Sequence, residues 1–255
     1  MKTASDFRRI ARDALYGKWP VAILTGFVAS LLNATFTSGN GGSTNSSNEL
    51  RQYLPSELVE FLTPVILGAA TVLLIWGLVC FLIGGVCKLG YAKFNLNLVD
   101  GQQASFSDLF SRFDRFGDGF LMNLLVNLYT FLWSLLFVIP GIVKSYSYAM
   151  TPYILAEHPE LSVNGAIGES DDLMRGNKWR LFCLELSFIG WDLLFLIPTL
   201  ICMPLISMGT MGTVLWAGIT LVCAFVVGLF VLPYREAARA AFYREISMTH
   251  TNIAA

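Results

Sequence analysis

A chain of 255 residues that is 55% hydrophobic and 14% charged, with mean hydropathy +0.60, falls well short of the roughly 25% charged residues of a soluble domain. These values exclude an ordinary water-soluble globule and predict a polytopic membrane protein. The formal net charge of -1 gives no argument for a nucleic-acid partner, and none is expected, because in a membrane chain the placement of Lys and Arg matters more than their sum.

The elements are predicted in chain order as follows. The opening "MKTASDFRRIARDALYGKWP" has alternating charges and no short apolar core with a small-residue cleavage site, so the first apolar segment is expected to remain in the mature chain. Within it "SDFRRIARDALYG" reads as an amphipathic helix started by Ser5 and ended at Gly17. A membrane span needs about 20 apolar residues, and the first is predicted at 19–37. A flexible outer loop, 38–60, follows, containing the low-complexity run "SGNGGSTNSSNE". The second span, 61–86, carries the small-residue stripe Gly77, Cys80, Gly84 and Cys87.

"SFSDLFSRFDRFG" is a second amphipathic segment, capped by Ser105 and ended by Gly117. Beyond it, 120–138 and 142–156 read as a hairpin of two spans turning at Ile139-Pro140-Gly141, a Pro-Gly turn signal. The alternative is one span ending near Lys144. The positive-inside rule decides for the hairpin. Six spans place every Lys and Arg inside except Arg51 and Lys144, whereas five spans leave the two sides nearly equal. A third amphipathic segment, "LSVNGAIGESDDLMRG", precedes spans at 181–203 and 211–232, the latter with a small pair, Ala224 and Gly228. A fourth, "YREAARAAFYREI", follows the last span. The expected fold is therefore all-α, one six-span domain of three hairpins, each preceded by a cytoplasmic amphipathic helix, with both termini cytoplasmic.

The junctions "YGKWP" and "RGNKWR" repeat a Gly, Lys, Trp order. They place Trp19 and Trp179, flanked by Lys18, Lys178 and Arg180, as interfacial anchors at headgroup level. Two readings stay open: helices that grip anionic lipid, or basic flanks that orient the spans.

One carboxylate, Asp192, lies in the apolar run "LSFIGWDLLFLIP", and an intramembrane acid needs a partner. Glu185, Asp192 and Thr199 are spaced by sevens, each about 20° and about 10.5 Å from the last along one helix face. The third span has a matching stripe of Asn123, Asn127, Thr130 and Ser134. A polar seam between the third and fifth spans is predicted, with Lys144, above Tyr148 and Thr151, reaching toward Asp192. The seam is either a hydrogen-bonded packing device or a solute or proton path.

Enzyme signatures are lacking. His158 and His250 are the only histidines, too few for a multi-histidine metal site. Glu157, His158 and Glu160 are interrupted by Pro159, and no Walker loop or dinucleotide fingerprint occurs. The cysteines Cys80, Cys87, Cys183, Cys202 and Cys223 lie in or beside apolar runs without CxxC spacing and read as packing residues. No metal, no cofactor and no catalytic residue are expected.

"FRRIARDALYGKWPVAI", "FVIPGIVKSYSYAMTPYILAEHPEL", "GNKWRLFCLELSFIGW" and "LPYREAARAAFYREI" together resemble the bacterial integral-membrane family known as domain of unknown function 975, across nearly the whole chain. The portion through "RGNKWR" is more loosely similar to the membrane domain of some glycerophosphoryl diester phosphodiesterases, their non-catalytic part. The resemblance implies six spans in a bacterial cytoplasmic membrane and no substrate or reaction. Asp192 is not part of the resembling pattern. The function expected is that of a non-enzymatic membrane accessory or scaffold, binding lipid headgroups, a protein partner or a second copy of itself. The alternative is a small-solute or lipid transporter using the polar seam.

Overall fold

The computed structural model describes residues 2–32 and 56–254. Among these residues every regular element is helical. The outer loop expected at 38–60 lies outside the described residues up to position 55, and the remainder begins a helix.

Helix α1 (Ala4–Leu15) starts at Thr3, whose N–H and Oγ1 both donate to the Asp6 carboxylate at 2.9 and 2.8 Å. Thr3, and not Ser5, is thus the cap, because only Thr3 stands three residues before an acid. Phe7, Ala11 and Leu15, at helical spacing, form its buried face. Gly17 takes a φ of +76°, a left-handed conformation suited to glycine. It lets α2 (Trp19–Leu31) leave at 107° to α1. The small residues Ala22, Thr25, Gly26 and Ala29 are the buried face of α2.

Helix α3 (Ser56–Val99) changes character along its length. Residues 71–78 are exposed on all sides, and residues 84–87 are buried. Gly90 explains the next segment: a Cβ there would lie 2.0 Å from the Leu109 carbonyl oxygen. The chain packs so tightly on α3 that 105–115 winds as two 3-10 turns, Phe106–Phe110 and Phe113–Arg115, in place of the predicted amphipathic helix. Ser105 does cap it, its N–H donating to Asp108 at 3.0 Å. Gly117 ends nothing; it lies in the first turn of α4 (Phe116–Leu136).

Helices α4 and α5 (Val138–Ser147) form an antiparallel hairpin. The turn is at Phe137, whose backbone is extended, and not at Ile139 to Gly141. Pro140 sits in the first turn of α5, where its missing N–H costs no helical bond. Gly141 lies against Ser134, where a Cβ would meet Oγ at 2.1 Å. The helix predicted over 142–156 is divided, because α5 ends at Ser147 and a turn leads to α6 (Thr151–Glu157).

Helix α7 (Val163–Leu173) is capped by Ser162, which accepts from Gly165 N–H at 3.1 Å. Gly176, at φ +79°, turns the chain into α8 (Lys178–Leu186). The predicted span 181–203 is then a string of short pieces: α8, α9 (Ile189–Asp192), a 3-10 turn, and α10 (Leu196–Ile201). The first break falls where Ser187 Oγ donates to the Leu184 carbonyl at 2.6 Å, a contact that competes with the helical ladder. The chain closes with α11 (Thr210–Ala254), a single helix that contains Pro233 and joins the last apolar stretch to the fourth amphipathic segment.

Two zones result. The base consists of α1, the second half of α3, the 3-10 turns, α6, α7, the foot of α8 and the second half of α11 around one core. Tyr91, Phe94, Tyr153, Phe188, Phe242 and Tyr243 are its large buried side chains. The run Ala237, Ala238, Ala240 and Ala241 lets helices approach α11 closely on several sides. The arms are the apolar stretches that leave the base. Among the described residues four helical stretches are long and apolar enough to cross a membrane: Thr71–Val99, Phe106–Leu136, Lys178–Ile201 and Met211–His250.

Candidate functional site

The amphipathic segments of the sequence bury their apolar faces on one another in the base. Phe7 of α1 meets Phe242 of α11 at 5.3 Å between ring centroids. Enclosed by this packing is a set of charges. On α11, Glu236 is fully buried and Arg239 is 9% exposed. Arg239 donates to Glu236 at 3.1 Å and to Glu185 of α8 at 2.6 Å. Tyr146 of α5 donates to the second oxygen of Glu185 at 2.7 Å. A buried carboxylate is tolerated only when neutralised and hydrogen-bonded in this way.

One turn further along α11, Tyr243 stacks on Tyr153 at 5.5 Å and donates to Glu157 at 2.8 Å. Arg244 bonds Glu157 as well and reaches Asp100 at 2.9 Å, joining α6, α11 and the end of α3. Burial pushes the Glu157 carboxyl up, but the hydrogen bonds from Arg244 and Tyr243 outweigh it and hold the group below its ordinary value. Beside this pair opens a groove of about 510 Å³, lined by Glu157, His158, Glu169, Arg244 and His250 among others. His158 turns to Glu160 at 3.0 Å. Among the described residues no group of three or more His, Cys, Asp or Glu side chains is placed to hold a metal ion.

The structure distributes the predicted seam over separate partners. Asn123 accepts from Lys88 at 2.9 Å and from Asn127 at 3.2 Å, on the α3 side of α4. Glu185 belongs to Arg239 and Tyr146. Lys144 donates to Asp171 at 2.9 Å, with Lys178 at 3.4 Å from the same carboxylate, so it points into the base and not toward the fifth apolar stretch. The Thr130 carbonyl accepts from Ser134 within α4. The Thr199 carbonyl accepts from Trp216 at 3.0 Å and ties α10 to α11. Asp192 closes α9, and its side chain lies outside what the structure describes. The physical reason for the dispersal is α5, which packs against both α4 and α8.

The predicted anchors divide as well. Trp179 is 71% exposed and stacked on Phe182 at 5.1 Å. Trp19 is half-buried against Phe230. Lys18 donates to the Gln102 carbonyl at 2.7 Å, and Arg180 to Glu245 at 2.7 Å. Sequence reasoning missed Lys88, Tyr146, Asp171, Glu236, Arg239 and Arg244. One signal was present: in "YREAARAAFYREI" the charges Glu236 and Arg239 stand three apart among alanines, a pattern fitted to a closely packed helix as well as to a lipid surface.

The chain matches the model of the family described as "Protein of unknown function (DUF975)" over residues 1–147 and 135–250. Neither a curated protein nor a solved structure matches it. The looser likeness to the phosphodiesterase membrane domain gains nothing from this match.

Proposed function

The chain belongs to the DUF975 family, and we propose that it is a non-enzymatic membrane component whose rigid base lies on the inner face of the bacterial cytoplasmic membrane and binds lipid headgroups or a partner protein. The observation that carries the reading is the contrast between the zones. The base is packed and pairs Arg239 with Glu236 and Glu185, while the arms present apolar side chains on all sides. Leu74 and Leu221 are each 73% exposed. Apolar surface on this scale calls for a cover, and Met211 to Leu232 is about 33 Å long at 1.5 Å per residue, matching a hydrocarbon core of about 30 Å.

Orientation follows from charge. The base collects the described Lys and Arg residues, Lys144 included, and the positive-inside rule then sets it on the inner face. The segment before α1 meets the last helix there: Lys2 N–H donates to Glu245 at 3.1 Å. The number of crossings is consequently even. Six crossings, or four with a hairpin that dips and returns, both satisfy this.

The scaffold reading is preferred to the transporter because Asn123, Asn127, Glu185 and Lys144 each bond within their own neighbourhood and not to one another across a common path, apart from the Asn123–Asn127 pair on one helix. A transporter using Asp192 stays the second reading, since an acid within an apolar run is the usual mark of one. Mass spectrometry of the protein gently released from its native membrane separates the two. A stoichiometric protein partner supports the scaffold, and a retained lipid or solute without one directs attention to Asp192. Solute flux into vesicles that Asp192→Asn abolishes, without loss of fold, overturns it.

A further inference from the structure

The α4–α5 hairpin ends in a strongly exposed apolar surface. Leu135, Phe137 and Ile139 are each between 72% and 75% exposed. How far this tip projects is fixed by its two legs. On α4, Gly119, Met122 and Asn123 are buried in the base, and Tyr129 Oη donates to Asn164 of α7 at 3.4 Å. On α5, Tyr146 is bound to Glu185, and the Ser147 carbonyl accepts from Ser170 at 2.7 Å. Tyr148 returns to Tyr129, 6.3 Å between rings. Only Thr130 to Leu136 and Val138 to Ser145 extend beyond the base, about 10 Å each at 1.5 Å per residue. That is too short for a core of about 30 Å and fits one leaflet of it.

The neck carries what a headgroup boundary needs. Lys144 and Lys178 flank Asp171, Lys144 lies 5.5 Å from the centre of the Trp133 ring, and exposed Trp179 stands beside Lys178. Tryptophan and lysine are the residues that settle at membrane interfaces. If the hairpin crossed the bilayer, this charged trio would lie within hydrocarbon, which is costly. Several polar groups of the tip are satisfied internally, as hydrocarbon demands. Phe137 N–H donates to the Trp133 carbonyl and Gly141 N–H to the Phe137 carbonyl, both at 3.3 Å. Ser134 and Ser145 bond carbonyls of their own helices, and Pro140 has no N–H to leave unpaired.

From this geometry we infer that α4 and α5 form a re-entrant hairpin whose Phe131–Val143 tip inserts among the acyl chains of the inner leaflet and returns to the same face. The chain then crosses the membrane four times, not six, and Lys144 joins the other basic residues inside. The inference rests on the inner-face orientation proposed above.

The test uses Phe137→Cys, Ile139→Cys and Ser145→Cys in the full chain, reconstituted in vesicles and exposed to a membrane-impermeant maleimide from each side. Labelling is located by peptide mass, with wild-type protein as the background for native cysteines. The expected result is Ser145→Cys labelled only from the face that carries the termini, with Phe137→Cys and Ile139→Cys unlabelled from either. Labelling of a tip cysteine from the opposite face makes the hairpin a full crossing, and labelling from the termini face puts it in water; each overturns the inference. The second tip position is read if the first variant fails to fold. Ser145→Cys labelled from the face opposite the termini overturns the hairpin too, and termini found outside overturn the orientation alone.

Discussion

Arg239 on the last helix donates to Glu185 at the foot of α8 across 2.6 Å, and the same guanidinium holds Glu236 one turn before it. The last helix is thereby joined to the fifth apolar stretch through a largely buried ion pair. Removing the guanidinium leaves two carboxylates without their cation in a packed core. Arg239→Ala is expected to lower stability by about 3–5 kcal/mol, read as a fall in midpoint during thermal unfolding in detergent. Glu185→Gln is expected to be milder, because an amide oxygen still accepts from Tyr146. Equal losses for the two variants would show that the pair is not the source of the cost.

Glycines of similar sequence context separate sharply in the structure. A Cβ on Gly85 would meet the Gly119 carbonyl oxygen at 2.1 Å, and one on Gly90 would meet that of Leu109 at 2.0 Å, whereas Gly77 and Gly228 have nothing within 4 Å. Gly85→Ala and Gly90→Ala are expected to cost about 1–3 kcal/mol each as backbone is forced apart. Gly77→Ala and Gly228→Ala are expected to leave unfolding unchanged. Any loss of self-association in the latter two, on size-exclusion with light scattering, would mark those faces as contacts with a second copy.

Asp171 gives a pH dependence of known sign. Burial raises its carboxyl, but the hydrogen bonds from Lys144 and Ser147 and the charges of Lys144 and Lys178 bring it down to about 2, from an ordinary value of 3.8. A depressed acid contributes stability that is complete above its unfolded value and is lost as pH falls through the folded one. The contribution should therefore hold above about pH 4 and decline toward pH 2. Asp171→Asn is expected to remove that part of the acid limb when unfolding midpoints are measured across this range. An unchanged limb would show that the trio at the hairpin neck is not coupled to folding.

The sequence is most informative where one force dominates. Hydrophobic runs of 20 residues leave little choice but an apolar arm, so apolar helices within the predicted 61–86 and 211–232 are legible, as are the turns at Gly17 and Gly176, whose positive φ few other residues accept. Periodicity told less about what a face touches. Phe7, Ala11 and Leu15 satisfy a lipid surface and a protein core equally well, and Phe242 decides between them only in three dimensions. The described residues of the predicted seam take separate partners for a related reason. Matching depth along two helices does not make them neighbours, and α5 packs on both. Ion pairs as distant in sequence as Arg239 with Glu185 left no local trace beyond an Arg and a Glu among small residues.

Arg180, expected as an interfacial cation, forms a clasp within the base. Its guanidinium donates to Glu245 at 2.7 Å, to the Lys2 carbonyl at 3.2 Å and to Asn177 at 2.9 Å, and it lies over the rings of Phe242 and Phe7 at 5.5 and 6.0 Å. One planar cation thus holds the start of α8, the amino-terminal segment and the last helix together. A lysine keeps the charge but has neither the fork nor the flat face. Arg180→Lys should therefore behave more like Arg180→Ala than like wild type. Both variants are expected to free the segment before α1, measured as faster amide exchange over residues 2–15 by mass spectrometry, with exchange in the α4–α5 hairpin unaltered. Full protection in Arg180→Lys would reduce the clasp to a simple charge pair with Glu245, and the stacking on Phe7 and Phe242 would then carry none of the attachment.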